Sequence, residues 1–133
     1  MSETSFSIDD YRRGWAFRYL REANADLLMA EKTGVQIIAV SLAVLAMRKA
    51  QIAIYYALGD PIFLEATVRQ IERGKELTKD LTLRLLSRIE HFIDVRSEMP
   101  ESVSKEMVLG EARYLIEIAS ELVEFLTNQK RID

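Results

Sequence analysis

The stretch from Gly34 to Pro61, GVQIIAVSLAVLAMRKAQIAIYYALGDP, constrains this chain more than any other. It is apolar almost all the way round, so as a helix it has to be buried on most sides. Arg48, Lys49 and Gln51 interrupt it and argue against a membrane span. A charge inside a protein needs a partner. Arg48 and Lys49 are therefore expected either to snorkel at a seam or to meet Asp or Glu from a neighbouring helix. Tyr55 and Tyr56 close the stretch and are expected to cap the core with their hydroxyls near solvent. Leu58-Gly59-Asp60-Pro61 then stops the helix and starts another, because Asp is a good N-cap and Pro has no N–H to lose at the first helical position.

A helix of this kind needs other helices around it, and the rest of the chain supplies them. Ser7 followed by Asp10 resembles a capping box, and a first helix runs from there to about Lys32. Ala16, Leu20, Ala23, Leu27 and Ala30 lie on one of its faces, with Tyr11, Trp15 and Tyr19 on an adjoining strip. The central helix covers roughly Val35 to Leu58. A short helix follows from about Pro61 to Arg73, with Ile62, Ala66 and Val68 turned inward, and Gly74 breaks it. The next runs from about Thr78 to Met99, with Leu81, Leu85, Ile89 and Phe92 on one side, until Pro100 stops it. Ser102 or Ser104 caps a last helix that continues to about Gln129. Its apolar stripe is wide: Val108, Ala112, Leu115, Ala119, Leu122 and Leu126, flanked by Leu109, Ile116 and Val123. Short connections make neighbouring helices antiparallel. The sequence thus predicts an all-α fold, an up-and-down helical bundle of four long helices plus one short helix. Residues 1–133 form a single domain, with 1–6 as a flexible N-terminal tail.

Composition narrows the chemistry. With 133 residues the chain is one domain by length. The absence of cysteine removes disulfides, thiolate metal sites and thiol nucleophiles. One histidine cannot supply the paired Glu-x-x-His motifs of a di-iron bundle from a single protomer. A net charge of −3 gives no bulk attraction to nucleic acid, so any such contact needs a local basic patch. The N-terminal MSETSFSIDD lacks the basic and apolar regions of a signal peptide, and a cytoplasmic location is expected. Neither a metal nor a cofactor is expected.

Three groups of side chains are candidates for function. Arg84, Arg88 and the sole histidine, His91, share one helical face, with Asp80 and Asp94 extending the strip. Guanidinium groups can hold a phosphate while an imidazole near neutral pH moves a proton, so Arg84 and His91 are candidate catalytic residues for RNA cleavage. The same spacing also describes a solvated charged face, with Asp80 and Arg84 as an ordinary i,i+4 pair. Arg12, Arg13, Arg18 and Arg21 interleave with Tyr11, Trp15, Phe17 and Tyr19, a pattern that can contact phosphate and stack bases. Aromatics at this spacing equally make a core or an interface between copies. Glu117, Glu121 and Glu124 form an acidic stripe with Glu111 nearby. Such stripes hold Mg²⁺ only with a facing acidic pair, and Glu72 and Glu76 lie on a different, short helix.

Several segments together resemble the HEPN family of all-helical, often dimeric domains. Tyr19 to Leu28, YLREANADLL, resembles the family's opening helix. Ala46 to Ile54, AMRKAQIAI, resembles its second, and Phe92 to Arg96, the Pro100 break and Glu111 through Phe125 resemble its last helices. The resemblance spans about residues 11 to 126. Many members carry Arg, four to six residues, then His, and act as metal-independent ribonucleases. Others lack the motif and serve as nucleotide- or protein-interaction modules. Arg84 and His91 have six residues between them, which fits, but Leu85 stands where a polar residue often follows the Arg. The family also implies a possible nucleotidyltransferase-type protein partner.

Two functional expectations follow. One is a homodimeric module associated with RNA or a nucleotide, with Arg88, Arg12 and Arg13 as nucleic-acid contacts and with or without cleavage at Arg84 and His91. The other is a non-catalytic structural subunit of a larger protein or ribonucleoprotein complex. The homodimer itself rests on apolar surface in excess of what one small bundle can bury.

Overall fold

A computed structural model describes residues 9–74 and 77–132 of the chain, with side chains up to residue 128. All regular structure among the described residues is helical: α1 (Asp10–Lys32), α2 (Gln36–Leu58), α3 (Pro61–Glu72), α4 (Leu81–Glu98), a single 3₁₀ turn (Pro100–Ser102) and α5 (Lys105–Ile132). The tail at 1–6 and the Ser7 cap lie outside the described residues.

Capping chemistry sets most of the starts. Asp9 caps α1, its carboxylate accepting from the Arg12 N–H at 2.8 Å. Asp60 caps α3 by accepting from the Ile62 and Phe63 N–H groups, with Pro61 in the first turn. Asp80 caps α4 through the Leu83 N–H at 3.1 Å. Ser104 caps α5 through the Met107 N–H at 3.3 Å. Gly74 sits at φ 75°, a left-handed conformation that a residue with a Cβ adopts only under strain, and it closes the end of α3.

α2 is the central element. α1 runs antiparallel along it: Trp15 and Tyr19 stack on Tyr56 near one end, and Lys49 meets Glu22 and Asp26 further along. Both helices are rich in buried alanine, with Ala16, Ala23 and Ala30 on α1 and Ala39, Ala43, Ala46, Ala50 and Ala53 on α2 fully enclosed. Small side chains let the axes approach along most of their length. α5 packs on both, burying Val108, Ala112, Ile116, Ala119 and Val123, part of the stripe expected from its sequence. Leu42, Leu122 and Leu126 are half-buried against this core.

The α3–α4 hairpin attaches differently from the sequence expectation. Val68 is buried, but Ile62 is 81% exposed and Ala66 faces solvent. On α4 the inward residues are Leu86, Glu90 and Ile93, whereas Leu81 and Leu85 are exposed. Only the first half of the expected apolar row is thus turned outward, while Ile89 and Phe92 pack partly buried against the core. The face of α4 directed at α2 carries Glu90, which meets the Tyr55 hydroxyl.

Ala46→Leu inserts three carbon atoms into a fully enclosed position. It is expected to destabilise the fold by about 1–3 kcal/mol, seen as a lower urea midpoint. An unchanged midpoint would show that α2 has slack on this face.

Candidate functional site

The densest group of functional side chains lies where α2 meets α3 and α4. Gln51 and Tyr55 are one helical turn apart on α2 and each is only 1% exposed. The Gln51 amide nitrogen donates to the Leu86 carbonyl and to the Tyr55 hydroxyl, both at 3.1 Å. The Tyr55 O–H in turn donates to the Glu90 carboxylate at 2.6 Å. Tyr55 therefore does not cap the core at solvent; it is buried as a donor, and burial together with the Glu90 charge pushes its pKa far up. Arg69 of α3 closes the group, 3.5 Å from Glu90 and 3.4 Å from Glu65. The Gln51 amide oxygen has no partner among the described residues, and Gln51 borders a recess of about 50 Å³ with Arg48, Glu65, Arg69 and Glu90.

Beside this group the α2 cations find their partners. Arg48 lies 3.1 Å from Asp94 of α4. Lys49 points the other way, 2.9 Å from Asp26 and 3.3 Å from Glu22 of α1. The Asp26 hydrogen bond, and then that of Glu22, holds the Lys49 pKa above its ordinary value. The α2 cations thus meet acidic groups from neighbouring helices, one of the two outcomes expected from sequence. Each charge in the seam is already committed to a neighbour, Glu90 to Arg69 and the Tyr55 hydroxyl. What the seam does is hold the α3–α4 hairpin to α2.

His91 projects outward from α4. Its side chain is 69% exposed, with Nδ1 3.6 Å from the Glu72 carboxylate, an ion pair when the imidazole is protonated. Arg84 and Arg88 are exposed and line a shallow recess of about 180 Å³ with Leu81 and Leu85; His91 is not part of it. No acidic group among the described residues pairs with either arginine. Asp80 does not form the expected i,i+4 pair with Arg84 because its carboxylate is spent on the α4 cap. Within one chain these three residues form an exposed helical strip, and the described residues build no enclosed cleft around it in which a phosphate could meet both a guanidinium and the imidazole.

Arg12 and Arg13 lie elsewhere. Arg12 binds Asp9 and donates to the Tyr56 carbonyl at 3.2 Å, and Arg13 lies 3.1 Å from Asp10. Arg18 stacks its guanidinium 4.8 Å from the Trp15 ring and pairs with Glu22. Tyr11, Trp15, Tyr19 and Tyr56 form one ladder of rings with centroids 5.8–6.4 Å apart. The ladder fastens α1 to the end of α2, and the arginines beside it are largely neutralised. On α5, Glu111 forms a bidentate pair with Arg96 at 2.7 and 2.8 Å, while Glu117, Glu121 and Glu124 face solvent. No set of acidic or histidine side chains among the described residues is placed to hold a metal ion.

The sequence reading assigns Glu90 no place, and the seam goes unpredicted with it. The signal was present: Leu86, Glu90 and Ile93 recur at spacings of four and three, an apolar face with one carboxylate in it.

A second groove lies between α4 and α5. It encloses about 340 Å³, is floored by Met47 of α2, and is walled by Leu85, Ile89 and Phe92 on one side and Tyr114, Leu115 and Ile118 on the other. Among the described residues its charged borders are Arg88 and Glu111.

Comparison with known proteins adds no relative. No family model, no curated protein and no solved structure matches the chain.

Glu72 gives the seam a pH dependence. Burial, and then the nearby Asp94 and Glu90 carboxylates, raise its pKa, with His91 pulling the other way. A carboxyl whose pKa is higher when folded adds stability below the ordinary Glu value and loses it as pH rises through the raised value. Glu72→Gln is therefore expected to be more stabilised relative to wild type at about pH 7 than at about pH 4, measured by urea midpoints. The same difference at both pH values would contradict this.

Proposed function

We propose that the protein is a HEPN-like interaction module of up-and-down architecture that works as a homodimer, and that it is not a ribonuclease. The observation that carries this reading is the face formed by α4 and α5. Leu81, Leu85, Tyr114 and Phe125 are each more than half exposed there, beside the apolar groove. A small soluble fold leaves a continuous apolar face of this kind where something binds. Within one chain Arg84 and His91, by contrast, sit on an exposed strip of α4 and do not share a recess. Interaction members of the HEPN family offer a precedent for such a chain, and the reading shares with the structural-subunit expectation the absence of chemistry.

That no acidic group among the described residues pairs with Arg84 or Arg88 favours one second reading, contact with RNA or a nucleotide at that strip. Arg12 and Arg13 support it poorly, since both are paired and lie beside the aromatic ladder rather than near Arg88.

Light scattering of the purified protein at micromolar concentration is expected to give about twice 15.3 kDa. Incubation with single-stranded RNA and chelator is expected to give the same trace cleavage for wild type and His91→Ala. Loss of a robust activity by roughly 10²–10⁴ in His91→Ala, the contribution of a positioned acid or base, would overturn the non-catalytic reading.

A further inference from the structure

The homodimer reading leaves open which surface pairs, and the α4–α5 face carries an arrangement of charge that answers it. The outer edge of this face on α4 is basic, formed by Arg84 and Arg88. The outer edge on α5 is acidic, formed by Glu117 and Glu121. All four are exposed, and among the described residues none is paired within the chain. Some charges elsewhere on the surface pair internally, as in Arg18 with Glu22, Arg96 with Glu111 and Arg113 with Glu31, and others, such as Arg21 and Glu124, have no pair among the described residues. Between the two edges lies the apolar groove.

We infer that the occupant of this face is a second copy of the chain, joined by a two-fold axis running along the groove. Such an axis lays α4 of one copy over α5 of the other. The basic edge of each copy then meets the acidic edge of its mate, twice, and the apolar rows close over one another in the middle. A surface with opposite charges on its two edges is self-complementary under this rotation, which is what an isologous contact requires. The apolar centre supplies the area and the flanking pairs fix the register. An RNA would be repelled by the Glu117 and Glu121 edge, and an unrelated partner would have no reason to match both edges. The inference rests on the homodimer reading and assigns its interface; it also places Arg84 and Arg88 against carboxylates instead of phosphates.

Charge reversal tests it. Arg88→Glu and Glu121→Arg are each expected to weaken dimerisation about tenfold or more, as like charges meet twice across the axis. The two changes together are expected to restore it close to wild type. Sedimentation velocity over a dilution series reads all three, and unchanged denaturation midpoints confirm folding. The lack of cysteine allows a second readout that does not depend on affinity. Arg88→Cys mixed with Glu121→Cys is expected to give a disulfide-linked pair on mild oxidation, far more than either variant alone. A dimer indifferent to all of these changes would overturn the assigned face while leaving the homodimer reading intact. A wild-type monomer at every concentration would overturn both.

Discussion

Arg48, Lys49, Gln51 and Tyr55 sit in the helix that the rest of the fold surrounds, and a polar group taken out of water there has to be satisfied by a neighbour. Much of the architecture follows from that requirement. Lys49 is answered by Glu22 and Asp26 on α1, which fixes how α1 lies along α2. Arg48 is answered by Asp94, and Tyr55 with Gln51 by Glu90 and the Leu86 carbonyl, all on α4. Arg69 brings α3 into the same group through Glu90. The alanine-rich contact of α1, α2 and α5 supplies apolar burial, whereas the α3–α4 hairpin combines the burial of Val68, Leu86 and Ile93 with specific polar contacts to α2.

This division explains the exposed apolar face. α4 can direct only one side toward α2, and the polar groups of α2 claim the side bearing Glu90. Leu81 and Leu85 are left facing outward, with Ile89 and Phe92 at the lip of the groove beside α5. Among the described residues nothing covers Leu81 and Leu85. The apolar face and the internal polar seam are thus two consequences of one orientation of α4, and the interaction reading depends on that orientation.

The parts legible in the sequence were those where periodicity and capping agree. The extent of α2, the Asp60-Pro61 start of α3 and the stripe on α5 all follow from local rules that tertiary contacts do not override. α4 was harder because two apolar rows compete on it. Leu81, Leu85, Ile89 and Phe92 are the more hydrophobic, yet the row containing Glu90 is the one buried. Hydrophobicity alone ranks these rows wrongly, since the burial of Glu90 depends on Tyr55 and Arg69, which lie on other helices. Tyr55 shows the same effect: a tyrosine near a helix end reads as a solvent-facing cap until its acceptor is known. The strip of Arg84, Arg88 and His91 was legible as a strip, but whether it faces a cleft or open solvent depends on packing that no local pattern encodes.

The central claim is that α2 belongs to a tightly packed apolar core and that a polar seam holds the α3–α4 hairpin to it. Native-state hydrogen exchange at increasing urea measures this most directly, because it separates local opening from global unfolding. Amides from Ala43 to Tyr55 are expected to exchange only through global unfolding, while those of α3 and α4 exchange together through a smaller opening of lower free energy. Opening of α2 before the hairpin, or a single opening shared by all five helices, would contradict the account.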